Sequence, residues 1–270
     1  MERIKRGERL AAMARILTNA PNRLHTLGEF CMQFDTAKST VSEDIDILRE
    51  SFARFHLGTI ITVAGASGGV MYRSLMSPES AQETLGQLAA TLSEPGRLLP
   101  GGFLYTADVC SNPDTAGKVG DIMASLYCMH NPDFVLTMET SGIPVALMTA
   151  RALDVPLVIA RRDSRAYEGP AVKINYVAGN DKIETMTLAR KAVRPGKRAL
   201  IIDDFTKGGG TLRGMAEMMR EFDAPVVGIG VMIATAEPVR KRAEGIRALL
   251  TLESTDPEAG SAIVRPAKLV

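Results

Sequence analysis

Tryptophan is absent from the 270 residues, and histidine and cysteine occur three times each. His25, His56 and His130 are scattered, and none shows the i, i+4 spacing that puts two ligands on one helix face. A His-rich metal site or a His-based triad therefore has little to build on, and no bound metal or prosthetic group is expected. Cys31, Cys110 and Cys128 are far apart and form no CxxC, and an odd set cannot all pair within one chain. They are expected to act as small apolar residues. No apolar run approaches the roughly 18 residues of a membrane span. The charged start, Met1-Glu2-Arg3-Ile4-Lys5-Arg6, is not followed by the apolar core of a signal peptide. The expected protein is soluble and cytoplasmic, without a membrane partner. Charge of one sign is lacking too: 32 basic against 31 acidic residues leave +1, which excludes a histone-like chain and an acidic disordered one. A neutral sum does not exclude a local basic patch. At ~150 residues per domain, the length suits one to two domains.

What is present divides into two parts, residues 1–74 and 75–270. In the first, residues 9–17 read as a helix, with Leu10, Met13, Ala14, Ile16 and Leu17 at helical spacing. A turn cluster, Asn19-Ala20-Pro21-Asn22, precedes a short segment whose apolar positions are Leu24, Leu27, Phe30, Cys31 and Phe34. A further helix opens around residues 35–40 and runs to about residue 52. Its Val41, Ile45, Leu48 and Phe52 form one apolar stripe. Residues 58–63 and 70–72 read as two short strands around the glycine-rich turn Gly65-Ala66-Ser67-Gly68-Gly69.

Helix, helix, helix, hairpin is the layout of a winged helix-turn-helix, and double-stranded operator DNA is its expected partner. The third helix begins with Lys38, Ser39, Thr40 and Ser42, which suit base edges, while its free N–H groups suit phosphates. Arg3, Lys5, Arg6 and Arg9 add cations for the DNA backbone, and Gly68 lets the hairpin tip approach it closely. Glu43, Asp44, Asp46 and Glu50 make the later face of the same helix acidic. A helical module for protein contact therefore stays open as an alternative.

In the second part, Ser77-Pro78 reads as a helix start, with the helix over residues 79–92. Turns follow at Glu94-Pro95-Gly96 and Pro100-Gly101-Gly102. Strands are expected at 103–105, 134–137, 156–160, 198–202 and 226–233, and helices at 118–129, 145–153, 182–192 and 212–222. Alternating elements with near-continuous apolar strands indicate an α/β fold, a parallel sheet covered on both faces. Such sheets bind ligands at the carboxyl ends of their strands.

One loop carries the chemistry. The strand Ala199-Leu200-Ile201-Ile202 runs into Asp203-Asp204-Phe205-Thr206-Lys207-Gly208-Gly209-Gly210-Thr211. It is not a P-loop, because Lys207 precedes the glycines, and Arg213 stands where a dinucleotide loop needs its third glycine. Consecutive glycines let backbone N–H groups form an anion nest, and the helix after them adds its positive dipole end. Thr206 and Thr211 can donate hydroxyl hydrogen bonds. Two carboxylates beside that phosphate need another partner, and vicinal hydroxyls provide one. Phosphate beside a diol describes a ribose 5-phosphate; the plainer alternative is an acidic turn with a glycine cap.

This arrangement resembles the phosphoribosyl pyrophosphate (PRPP) motif of type I phosphoribosyltransferases. The resemblance implies that Asp203 and Asp204 hold the ribose hydroxyls and that residues 206–211 hold the 5-phosphate. Thr137-Met138-Glu139-Thr140-Ser141-Gly142-Ile143-Pro144 is similar to the family's pyrophosphate loop, which puts Thr140, Ser141 and Gly142 at the diphosphate. Residues 161–169, beginning with Arg161, together with Tyr176, resemble its flexible loop, although a solvated basic loop has the same composition.

Both halves together resemble the purine operon repressor family of Gram-positive bacteria over nearly the whole chain. Ala37 to Asp44, Leu99-Pro100-Gly101-Gly102, Ile174-Asn175-Tyr176-Val177 and Gly228-Ile229-Gly230-Val231 carry that likeness. It implies a homodimeric repressor whose phosphoribosyltransferase-like domain senses PRPP, with magnesium, and releases purine genes. Guanosine tetraphosphate or purine nucleotides are further expected ligands of the pocket, with Phe103 and Phe205 as candidates for stacking a base. An active purine phosphoribosyltransferase with a DNA-binding extension uses the same loop and stays open as the alternative.

Overall fold

The computed structural model describes residues 4–65, 68–74, 76–163, 169–178 and 182–269. Two compact units emerge, Met1–Ser77 with Arg151–Asp154, and Pro78–Ala150 with Val155–Val270.

The first unit runs α1 (Arg6–Asn19), β1 (His25–Thr26), α2 (Leu27–Phe34), α3 (Lys38–Arg54), β2 (Thr59–Val63) and β3 (Gly69–Arg73). This is the expected winged-helix order. The three strands form one antiparallel sheet in the order β1-β3-β2, so β2 is an edge. The stripe Val41, Ile45, Leu48 and Phe52 is buried, together with Met13, Leu17, Phe30 and Phe34 from α1 and α2 and with Ile60, Val70 and Tyr72 from the sheet. A capping box starts α2: Thr26 Oγ1 accepts from Glu29 N–H, and Glu29 Oε2 accepts from Thr26 N–H, both at 3.2 Å.

The second unit is built on a six-stranded sheet. Its strands are β6 (Phe134–Met138), β7 (Leu157–Ala160), β10 (Ala199–Thr206), β11 (Val226–Thr235), β12 (Ile246–Asp256) and β13 (Ser261–Pro266), in the order β13-β12-β11-β10-β6-β7. All pairings are parallel except β12 with β13. Alternation along the strands assigns the faces. Ile201, Ile229 and Val231 pack with α8 (Gly210–Glu221), whose Leu212, Met215, Met218 and Met219 are fully buried. Each such side chain contributes about 1.5–3 kcal/mol on leaving water. On the other face, Tyr127 and Met123 of α6 (Pro113–Tyr127) lie over Gly228 and Gly230. A Cβ at Gly228 would come within 2.4 Å of the Tyr127 ring. The Tyr127 hydroxyl donates to Ile229 O at 2.7 Å.

The structure departs from the sequence expectations at four places. Residues 182–192 are not a helix: β9 (Ile183–Ala189) pairs antiparallel with β8 (Ala171–Val177) in a separate hairpin. Met186 and Leu188 face the core, while Thr185 and Thr187 supply β-branched positions, so pairing outweighs the helix preference of Lys, Glu, Met and Ala. β5 (Phe103–Leu104) also stands apart from the main sheet, paired only with β4 (Leu98–Leu99). α6 begins five residues earlier than expected, because Asn112 Oδ1 accepts from Asp114 and Thr115 N–H and Pro113 occupies the first helical position. β12 and β13 were not expected. The remaining helices are α4 (Pro78–Leu92), α5 (Ala107–Ser111) and α7 (Ile143–Leu153). No described helix is long and apolar enough to cross a membrane.

Candidate functional site

In the second unit, chain direction diverges between β10 and β6. From β6 the chain crosses outward to β7, and from β10 it crosses the other way to β11. A crevice therefore opens beyond the carboxyl ends of these neighbours, the place where open parallel sheets take ligands. A cavity of about 820 Å³ lies there. The loops after β6 and β10 form its walls, with Phe103, Tyr176 and the carboxyl ends of β11 and β12.

The loop after β10 has the geometry of an anion cradle. Gly209 adopts φ +76°, the left-handed region that glycine favours. Its N–H donates to the buried Thr206 Oγ1 at 3.1 Å. The carbonyls of Gly208 and Gly209 accept from Arg242 N–H (2.8 Å) and Arg213 N–H (3.0 Å), so they are turned away from the crevice. Gly210, Thr211 and Leu212 begin α8, and their N–H groups have no partner four residues back within the helix. Gly210 is also a close approach, since a Cβ there would meet Val177 O at 2.0 Å. Thr206 thus braces the cradle, whereas Thr211 stands at its mouth.

Asp203 and Asp204 stand beside that cradle. Asp203 is buried and Asp204 half-buried, and among the described residues no Lys, Arg or His forms an ion pair with either. Burial, with the neighbouring Asp204 charge next, pushes Asp203 well above the ordinary carboxylate value; burial also pushes Asp204 up. Asp203 Oδ1 accepts from Asp204 N–H at 3.1 Å. The loop after β6 reaches the same point. A Cβ on Gly142 would lie 2.6 Å from Asp203 Oδ1 and 2.8 Å from Thr137 Oγ1, so only glycine fits there. Thr140, Ser141 and Gly142 line the cavity, and the Glu139–Thr140 peptide bond is cis. Such a cation-free pair of carboxyls can hold hydroxyl donors, and the cradle beside it can hold a phosphate.

Two family models match the chain: "Bacterial purine repressor, N-terminal" over residues 5–74, and "Phosphoribosyl transferase domain" over residues 107–262. The purine biosynthesis transcriptional repressor PurR of Bacillus subtilis (strain 168) is 39% identical over 253 residues, 93% of this chain and 89% of the relative. The probable purine biosynthesis transcriptional regulator PurR of Streptococcus pneumoniae (strain ATCC BAA-334 / TIGR4) is 38% identical over 256 residues, 94% of this chain and 93% of the relative. The chain belongs to the PurR family. Among solved structures, an adenine phosphoribosyltransferase from Thermoanaerobacter pseudethanolicus superposes with a TM-score of 0.53 at 18% identity, covering 61% of this chain and 98% of that one. At that identity the likeness speaks for the fold alone.

Against the PurR-family expectation, the structure gathers nearly all of the predicted effector residues. Phe103, residues 140–142, Tyr176 and residues 203–211 all line the one cavity. Phe103 is 70% exposed at the rim, and Phe205 is half-buried. Arg161 is the exception: it does not line the cavity, and its Nη1 donates to Glu139 Oε2 at 3.2 Å. Arg162 lines it instead, while its backbone N–H donates to Glu139 Oε1 at 2.8 Å. Residues 164–168 of the same loop lie outside the described residues. Tyr176 is buried, and its hydroxyl donates to Glu184 Oε2 at 2.9 Å. Burial first, then Glu184, pushes its pKa up to about 12, so it stays a neutral donor. Glu184, Thr235, Glu237, Glu253 and Thr255 also line the cavity, unanticipated. Assigning β9 and β12 as strands would have placed Glu184 on the hairpin and Glu253 and Thr255 on a strand of the sheet.

In the first unit, α3 starts at Lys38, and its N-cap residue Ala37 has no side-chain oxygen, so its first N–H groups lack a side-chain cap. Lys38, Ser39 and Ser42 are exposed and Thr40 is half-buried around that end. Lys5 is exposed, and Arg3 lies outside the described residues. Arg9 does not serve DNA phosphates as expected, because it is buried and its Nε donates to Asp44 Oδ2 at 2.8 Å. Arg6 donates to Asp44 Oδ1 (2.9 Å) and Glu43 Oε2 (2.8 Å), which commits it to the protein as well. Glu43 and Asp44 of α3 are thereby answered within the unit, and Asp46 pairs with Arg49. Gly68 closes the wing turn, its N–H donating to Gly65 O at 2.9 Å.

Proposed function

We propose that the chain is a DNA-binding transcriptional repressor of purine biosynthesis genes, and that PRPP, entering the second unit, weakens its hold on the operator. The cation-free Asp203–Asp204 pair beside an open amide cradle is the observation that carries the effector reading. PRPP presents a 5-phosphate and a 2,3-diol on one ribose. In this reading Asp203 and Asp204 accept from the ribose hydroxyls, and the N–H groups at the start of α8 bind the 5-phosphate. The loop at Thr140, Ser141 and Gly142 receives the diphosphate. Carboxylate oxygens also suit a magnesium ion brought in on that diphosphate, since this ion keeps most of its waters and takes one or two protein ligands. Phe103 and Phe205 would flank the base of a competing purine nucleotide such as guanosine tetraphosphate.

On the DNA side, the uncapped start of α3 enters the major groove of a palindromic operator, which a homodimer reads in two halves. The setting is cytoplasmic. Effector and operator are coupled by linkage: PRPP binds better to the form that does not hold DNA. The intact pocket favours a second reading, an active purine phosphoribosyltransferase with a DNA-binding extension.

A gel shift on a purine-gene promoter, with and without PRPP and magnesium, tests the proposal beside an assay of purine-base consumption. The expected result is a retarded complex that PRPP dissolves, with no base consumed. No release at millimolar PRPP contradicts the repressor mechanism. Turnover of base without a retarded complex selects the enzyme.

A further inference from the structure

We propose that Arg49 is a positioning residue for DNA recognition: it fixes the wing at a set angle to α3. The inference rests on the DNA-binding reading above.

Arg49 lies in the fourth turn of α3, well beyond the helix start that faces DNA in that reading. Its guanidinium spans two elements. Nε donates to Ile60 O at 3.4 Å and Nη2 donates to Thr62 Oγ1 at 2.7 Å, both on β2. Nη1 pairs with Asp46, one turn earlier in α3. One planar group is therefore tied to the helix on one side and to the wing strand on the other.

β2 needs such a tie. It is the edge of its sheet, and among the described residues it is bonded only to β3, so no strand on its outer side sets its position by pairing. Ile60 is buried in the core shared with α3. Apolar contact of that kind holds the strand against the helix, but it is non-directional and leaves the angle loosely determined. A forked hydrogen bond supplies the missing direction. Thr62 stands next to Val63, the last residue of β2, so the fork grips the wing close to its turn. A recognition helix and a wing that touch one duplex together must keep a fixed angle, and Arg49 supplies it.

The test uses the full chain and a purine-gene promoter duplex, with Thr62→Val and Arg49→Gln compared with wild type. Affinity is read by fluorescence anisotropy across a salt series, and contacts by hydroxyl-radical footprinting. Thr62→Val removes the acceptor and no charge. Both variants are expected to bind roughly tenfold more weakly, the loss of about one good hydrogen bond. The salt slope should stay at the wild-type value. Protection from the wing should fade while protection from α3 persists. Wild-type affinity for Thr62→Val overturns the proposal. A salt slope reduced by about one unit in Arg49→Gln also overturns it, because Arg49 then touches a phosphate directly. If wild type itself fails to bind the duplex, the DNA reading falls, and this inference with it.

Discussion

Two groups of buried carboxylates sit in the two units, and they are treated in opposite ways. Asp44 of α3 is fully enclosed and answered by two arginines, Arg9 at 2.8 Å and Arg6 at 2.9 Å. Burial alone would raise its pKa, but the hydrogen bonds and charges of Arg9 and Arg6 outweigh burial and hold it below the ordinary value. Asp203 and Asp204 have no such cation among the described residues, and burial drives both upward. A finished ion pair is structural, because each carboxylate oxygen has a charged donor within the fold. An unanswered pair in a cavity is a cost the fold carries, and functional sites are where such costs collect. The difference separates a keystone from a candidate binding site, although both read as Asp in the sequence.

Substitution should expose that contrast most strongly at Asp44. Asp44→Asn leaves two arginines without their carboxylate and should destabilise the first unit by about 3–5 kcal/mol. Operator binding should be lost with it. Chemical denaturation followed by amide exchange resolves the two units; unchanged protection in the first would remove Asp44 from its role. Asp203→Asn should act in the reverse sense. Removing a buried, unpaired charge should stabilise the second unit by about 1 kcal/mol, while operator release by PRPP disappears. A destabilised variant that still responds to PRPP would erase the contrast.

The pH dependence has opposite signs in the two units. The pKa of Asp203 is raised on folding, so its contribution is fully present below the ordinary value of 3.8 and is lost as pH rises through the raised value. Mild acidification from neutrality should therefore tighten amide-exchange protection in the second unit. The pKa of Asp44 is lowered, so its contribution is present above 3.8 and is lost as pH falls through the depressed value. The first unit should hold through mild acid and open only below that. Parallel responses in both units would contradict the assignment. The smallest effect is expected at Lys38, whose replacement by Ala should weaken operator binding a few-fold and lower the salt slope by about one unit.

How much of this was readable in the sequence depended on how far apart the cooperating residues are. The strand, acids, glycines and helix of residues 199–211 are contiguous, so their geometry could be anticipated residue by residue. The stripe of α3 was legible for the same reason. The pairing of Arg6 and Arg9 with Asp44 spans more than thirty residues and leaves no local mark, so the sequence alone points Arg9 at DNA. The β8–β9 hairpin was missed because residues 183–189 hold good helix formers, and the partner strand decides their state. Gly228 and Gly230 stood out in the sequence, but the structure gives them a packing role under Tyr127 and Met123. Arg161 and Arg162 are adjacent in the chain, and only the fold tells which one meets Glu139 by its side chain and which one lines the cavity.

The central claim is that one pocket and one DNA surface are coupled. The most direct test is the affinity of the full chain for PRPP with magnesium, measured by calorimetry with and without saturating operator duplex. Linkage predicts that operator weakens PRPP binding by the same factor by which PRPP weakens operator binding. Identical PRPP affinity in the two conditions would contradict the account.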